Sequence, residues 1–182
     1  MLYYITSNKE KIRLASRFLS PLNVEIEGKH MDLNEIQSDD IEEIAKDKAR
    51  QAFSVINKPL FVNDVGWYIS ALNGFPGPFM KYVNQWLTAE DILKMMSGHT
   101  NREIIFREVV CYIDESKLKS FVCEIKGKIL DKNTDPETIL SASIVSLSSS
   151  GRSIAESRKQ GVPSVDNYDI WQKFADWYVD TV

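Results

Sequence analysis

The chain has 182 residues, 43% hydrophobic and 26% charged, which suits one globular domain with a substantial core. With 26 acidic against 22 basic residues the formal charge is −4, so no basic surface for a nucleic-acid backbone is implied. A small phosphorylated ligand held by a few placed lysines is compatible with that balance.

No stretch approaches the ~20 apolar residues of a membrane span. The opening Met1–Thr6 has neither the basic leader nor the small-residue cleavage site of a signal peptide. Cys111 and Cys123 lack metal-ligand spacing and are expected as reduced core thiols on adjacent strands. His30 and His99 are isolated, which gives a His-based triad or zinc site no support. These features predict a cytoplasmic protein with no membrane and no nucleic-acid partner.

In chain order, Leu2–Ile5 is an apolar, β-rich strand, and Thr6-Ser7-Asn8 is a turn. Lys9–Leu19 follows as a helix with Asn8 as its N-cap. A short strand is expected near Val24–Glu27, then an acidic loop from Asp32 to Asp40. Ile41, Ile44, Ala45, Ala49, Ala52, Phe53 and Ile56 form one stripe of the clearest helix. Leu60-Phe61-Val62 reads as a buried strand ending at Asn63-Asp64-Val65-Gly66. The Gly/Pro-rich loop Asn73–Pro78 leads into a short helix through Lys81 to Trp86, and Ala89–Met96 is another helix. Glu103–Ile113 and Ser120–Leu130 alternate like a long antiparallel hairpin. Ile139–Leu147 is expected as a further strand, Ser146–Ser153 as a loop, and Asp166–Tyr178 as the last helix. There are no repeats and no long linker, so residues 1–182 read as a single α/β domain with a mixed sheet.

Several residues could carry chemistry. The strand-to-helix turn Thr6-Ser7-Asn8 offers backbone N–H groups and a helix dipole to an anion. Lys11 sits in the first turn of that helix, where a cation opposes the dipole unless an anion is near. The bland alternative is a capped surface helix with a solvated lysine. Lys48 lies at the edge of an apolar stripe, so either its stem snorkels or its head reaches a buried anion. Lys81, among Phe79, Met80, Tyr82 and Val83, poses the same question. Asp64 follows the buried strand, at a place where open α/β folds put ligand sites. Together with Glu35 it offers two hard oxygen donors, a set that suits magnesium. Alternatively, Asp32, Glu35, Asp39 and Asp40 merely complement a helix N-terminus, a reading that fits the last two best. Trp171, Phe174 and Trp177 are expected in the core rather than as base-stacking surfaces.

Taken together, these segments resemble the inosine/xanthosine triphosphate pyrophosphatase family, from residue 2 to about residue 130. The shared marks are Thr6-Ser7-Asn8 with Lys11, Asp32-Leu33-Asn34-Glu35, Lys48 with Ala49 and Ala52, Asn63-Asp64-Val65-Gly66, and Ala71–Pro78 with Lys81. The resemblance implies hydrolysis of aberrant purine nucleoside triphosphates (ITP, XTP, dITP) to monophosphate and pyrophosphate. It implies that Thr6, Ser7, Asn8, Lys11, Lys48 and Lys81 bind the triphosphate. Glu35 and Asp64 would hold Mg2+, with Mn2+ as a substitute, and Asp64 would be catalytic. The implied fold is an elongated mixed sheet with flanking helices, forming two lobes around a nucleotide cleft, and family members are commonly homodimers.

The chain also departs from the family pattern. Asn63 stands where members carry an acid, and Val65 where they carry Ser or Thr. The family's Gly-Phe-Gly-Tyr/Trp-Asp-Pro segment is replaced by Ile139–Leu147, and its Ser-His-Arg motif by Asp166-Asn167-Tyr168. In the family those parts grip the base. Two expectations follow: an active pyrophosphatase with altered base preference, or a non-catalytic nucleotide-binding or interaction protein that keeps the fold.

Overall fold

A computed structural model describes residues 1–181. Its sheet has seven strands, in the order β2 (Ile26–Lys29), β1 (Leu2–Ile5), β3 (Leu60–Ile69), β5 (Glu103–Ile113), β6 (Leu118–Ile129) and β7 (Val145–Ser146), with β4 (Pro76–Gly77) paired to β3. β1 runs parallel to both β2 and β3, whereas β4 and β7 pair antiparallel, so the sheet is mixed. The helices are α1 (Lys9–Leu19), α2 (Ile41–Ile56), α3 (Met80–Trp86), α4 (Ala89–Met95), α5 (Leu140–Ile144), α6 (Ile154–Lys159) and α7 (Ile170–Thr181).

The chain divides into two compact units. The first comprises residues 1–65, 108–123 and 169–182; the second comprises 66–107 and 124–168.

In the first unit α2 presents the expected stripe. Ile41, Ile44, Ala45, Ala49 and Ala52 are buried with Leu60, Val62, Val109 and Cys111. Asp40 caps its N-terminus by accepting from the Glu42 N–H at 2.8 Å, and Asn57 ends it in the left-handed region. A second apolar group is aromatic: the Tyr4 ring stacks on Phe61 with centroids 4.3 Å apart, and Trp171 and Phe174 of α7 pack edge-on or tilted against them. Those two α7 aromatics are core residues, as expected.

The second unit buries Trp67, Ile69, Met80, Val83, Ile92, Ile104, Ile129, Ile144 and Ile154 together. Both cysteines are free thiols. Among the described residues no helix is long and apolar enough to cross a membrane.

Three expectations need correction. The strand expected to end at Asn63-Asp64-Val65-Gly66 continues to Ile69, so Asp64 sits within β3 rather than at its end. Continuation is possible because Trp67 and Ile69 give the strand a further apolar face, and because the Asn63 side chain is satisfied locally. Gly66 also belongs to this run; a Cβ there would come within 2.7 Å of the Tyr68 ring. The strand expected over Ile139–Leu147 is the helical turn α5 followed by the two-residue β7. Alternation of Ser with apolar residues mimics a strand, but Ser143 Oγ bonds back to the Leu140 carbonyl at 3.0 Å, which suits a helical turn. Finally, α6 lies just after the serine-rich loop, and the last helix begins at Ile170 rather than Asp166.

Candidate active site

The turn after β1 is built by side chains that consume helix-end donors. Thr6 Oγ1 accepts from the Asn8 N–H at 3.1 Å, and Asn8 Oδ1 accepts from the Glu10 and Lys11 N–H groups at 2.9 and 3.3 Å. Asn8 is the N-cap the sequence predicted, and Ser7 stays exposed beside it.

Lys11 does not extend into solvent. Its Nζ donates to the Asn63 backbone carbonyl at 3.0 Å, linking α1 to β3. Burial lowers its pKa, while Asp64 and Glu108 pull in the opposite direction and Lys48 adds to the lowering. An ammonium whose hydrogen-bonded partner is a carbonyl is short of negative charge.

Lys48 settles the choice left open by its sequence position, because its head reaches two carboxylates, one half-buried and one exposed. Nζ lies 2.8 Å from Asp64 Oδ1 and 3.2 Å from Glu35 Oε2, with the Lys48 side chain only 18% exposed. Burial alone would lower its pKa, but the two carboxylates outweigh that and hold it raised. Glu35 approaches from the loop ahead of α2, where Gln51 Nε2 donates to the Asn34 carbonyl at 2.7 Å and ties that loop to the helix. Asp40 is used otherwise, as the α2 cap.

Asp64 is the least satisfied group in the cluster. Its Oδ1 takes the Lys48 ammonium, yet its Oδ2 is buried and has no hydrogen-bond partner. Leaving a buried charged acceptor unmade costs roughly 1–3 kcal/mol or more. Two oxygen-bearing side chains with one free, inward oxygen fit a hard divalent ion that takes one or two protein carboxylates and otherwise water or phosphate. Neither a histidine nor a thiol belongs to this set, which agrees with the donor chemistry of magnesium or manganese.

Of the residues singled out in the sequence, Thr6, Ser7, Asn8, Lys11, Glu35, Lys48 and Asp64 all belong to the first unit. Direct contacts join Glu35, Lys48 and Asp64, and Lys11 joins them through Asn63. Lys81 belongs to the second unit, exposed at the start of α3, 6.0 Å from the Tyr82 ring centroid. Sequence reasoning missed Glu108, which is buried on β5 and accepts from Asn63 Nδ2 at 2.7 Å. The available signal was an acid in a strand otherwise rich in Ile and Val.

The family model described as the Ham1 family matches residues 2–159. Among curated proteins, the chain is 38% identical to a dITP/XTP pyrophosphatase of Methanopyrus kandleri over 130 residues, covering 71% of this chain and 69% of that one. It is 35% identical to the dITP/XTP pyrophosphatase of Thermococcus kodakarensis over 128 residues, covering 70% and 69%. Among solved structures, a HAM1 protein from Coxiella burnetii superposes with a TM-score of 0.80 at 19% identity, covering 99% of this chain and 98% of that one. The Staphylococcus aureus Ham1 protein gives 0.79 at 18%, covering 98% and 97%. At such identities the structures speak for the fold alone, and they do so along nearly the whole chain. Sequence and fold thus agree, and the chain belongs to the Ham1 family.

Proposed function

We propose that this chain hydrolyses nucleoside triphosphates of the ITP, XTP and dITP kind to the monophosphate and pyrophosphate, using magnesium, or manganese in its place. The observation that carries the reading is Asp64, a half-buried carboxylate with one oxygen on Lys48 and the other buried and unpartnered. The substrate class is that named for the M. kandleri and T. kodakarensis relatives.

In this reading Glu35 and Asp64 would hold the divalent ion. The ion would supply polarisation of the phosphoryl oxygens. Thr6, Ser7 and Asn8 place hydroxyl and amide groups beside the end of α1, and Lys11 and Lys48 bring ammonium groups that neutralise the triphosphate. Lys48 releases a carboxylate oxygen as it turns to the phosphates. Asp64 accepts a proton from the water that attacks the α-phosphorus, and the α–β anhydride bond breaks with its electrons leaving on pyrophosphate. Lysines close to those leaving oxygens stabilise their growing charge more than that of the bound substrate, which is what lowers a barrier. Lys81 keeps the part the resemblance gives it, as a further positive charge for the triphosphate. A homodimer in the cytoplasm belongs to the same proposal, with sedimentation as the check on the dimer.

The test is product analysis with purified protein over ITP, XTP, dITP, ATP, GTP and pyrimidine triphosphates, with magnesium and with EDTA. Pyrophosphate and monophosphate in equal amounts from the deaminated purines, abolished by EDTA, are expected. Tight nucleotide binding without release under either condition would favour a non-catalytic binding protein that keeps the fold.

A further inference from the structure

Glu108 plays no part in the reaction scheme above, yet it is only 3% exposed on β5, a costly place for a carboxyl group without a purpose. Its Oε1 accepts from Asn63 Nδ2 at 2.7 Å, and the same nitrogen donates to the Val109 carbonyl at 3.2 Å. Both amide protons of Asn63 are therefore committed to β5, and Asn63 is itself 7% exposed. The backbone of this clamped residue serves the site: its carbonyl accepts from Lys11 Nζ at 3.0 Å, and the next residue is Asp64. The inner lysine and the unpartnered carboxylate thus depend on one peptide whose side chain is gripped from the neighbouring strand.

We propose that Glu108 and Asn63 are a coupled positioning pair, in which the Glu108 carboxyl grips the Asn63 amide and so fixes the peptide that anchors Lys11 and carries Asp64. What those positioned groups then do rests on the triphosphate reading above. The surroundings suit a directional device of this kind. The nearby Tyr4 hydroxyl is buried without a partner, and its pKa is pushed up by burial first and by Glu108 and Asp64 next, so a polar contact here is poorly screened.

The pair has a donor and an acceptor, and that polarity can be reversed. Asn63→Asp sets two carboxyl groups face to face, which cannot both ionise at such a distance. Adding Glu108→Gln returns a donor to the contact from the opposite side. A residue that only filled space would show no such reciprocity.

The experiment compares pyrophosphate release from ITP with magnesium in wild type, Asn63→Asp, Glu108→Gln and the double variant, each shown folded by its thermal melt. A misplacement near 1 Å costs on the order of 10²-fold, so Asn63→Asp is expected to lower kcat about 10- to 100-fold. Glu108→Gln, which keeps an acceptor oxygen, loses less than Asn63→Asp, and the double variant recovers most of the loss. Asn63→Asp turning over within about twofold of wild type, or a double variant no better than Asn63→Asp, overturns the pair. Should Asn63→Asp not fold, Glu108→Leu removes the acceptor without adding charge, with the same loss expected and near-wild-type turnover again fatal. The 1H–15N resonance of the Lys11 ammonium reads the same chain of contacts without substrate. It is expected to shift in Asn63→Asp and return in the double variant, and an unmoved resonance contradicts the pair. A wild type that releases no pyrophosphate defeats the triphosphate reading instead, and this resonance still decides the pair.

Discussion

The polar cluster of the first unit and the serine-rich segment of the second both contain buried and half-buried hydrogen-bonding groups, but they complete their bonds in different ways. In the second unit the groups close on one another. Thr134 Oγ1 donates to Ser153 Oγ at 2.7 Å, Ser153 and Glu156 form a reciprocal capping box on α6, and Asp135 pairs with Lys159 at 2.9 Å. Beside them, on α6, the Ser157 hydroxyl is buried and without a partner, and it is neutral. In the first unit a carboxylate oxygen is left unmade, a lysine leans on a carbonyl, and one ammonium serves two carboxylates. A closed network contributes stability and specifies the local fold. An open one, left charged, is poised for something the chain does not itself supply.

The sharpest way to break this contrast is Asp64→Asn. It keeps the shape and removes the base, so pyrophosphate release is expected to fall by about 10²–10⁴-fold. The melting temperature should change little, because the amide has the same shape and its oxygen can still accept from Lys48. Turnover near wild type would show that the open oxygen is not functional. Next comes Lys48→Met, which leaves Glu35 and Asp64 without their shared cation. Loss of one preorganised donor lowers kcat by roughly 10²-fold, and steady-state kinetics on ITP would measure it. The smallest effect belongs to the closed network. Ser153→Ala removes a cap worth about 1 kcal/mol and should lower the melting temperature by roughly 2–4 °C. Turnover on ITP should be unchanged, so a large loss of activity in this variant would blur the distinction between the two regions.

The first unit was the more legible in the sequence. Its signals are local: Asn8 before a helical run, a seven-residue apolar stripe on α2, and a charged residue on the edge of that stripe. Pairing Lys48 with Asp64 needs the register of a helix against a strand, which no periodicity supplies; the resemblance gives the two residues separate roles at one site and does not imply their contact. Glu108 stayed hidden because its partner lies 45 residues away on a neighbouring strand. In the second unit, Ile139–Leu147 was misread because buried serines can satisfy themselves within one helical turn, so polarity ceased to mark the outward face. The capping box of Ser153 and Glu156 is a local sequence signal, and it starts α6 where the serine-rich loop ends. The likeness in fold covers 98–99% of the chain, whereas the sequence likeness to the M. kandleri and T. kodakarensis proteins covers 70–71%, so the architecture persists where residue types have changed.

The most direct test of the whole account is the position of a bound metal. Crystals grown with Mn2+ and a non-hydrolysable ITP analogue would locate the ion by its anomalous scattering. The peak is expected to be ligated by Glu35 and the open oxygen of Asp64, with Lys48 turned onto the phosphates. A peak away from both carboxylates, with Lys48 still bridging them while the nucleotide is bound, would contradict it.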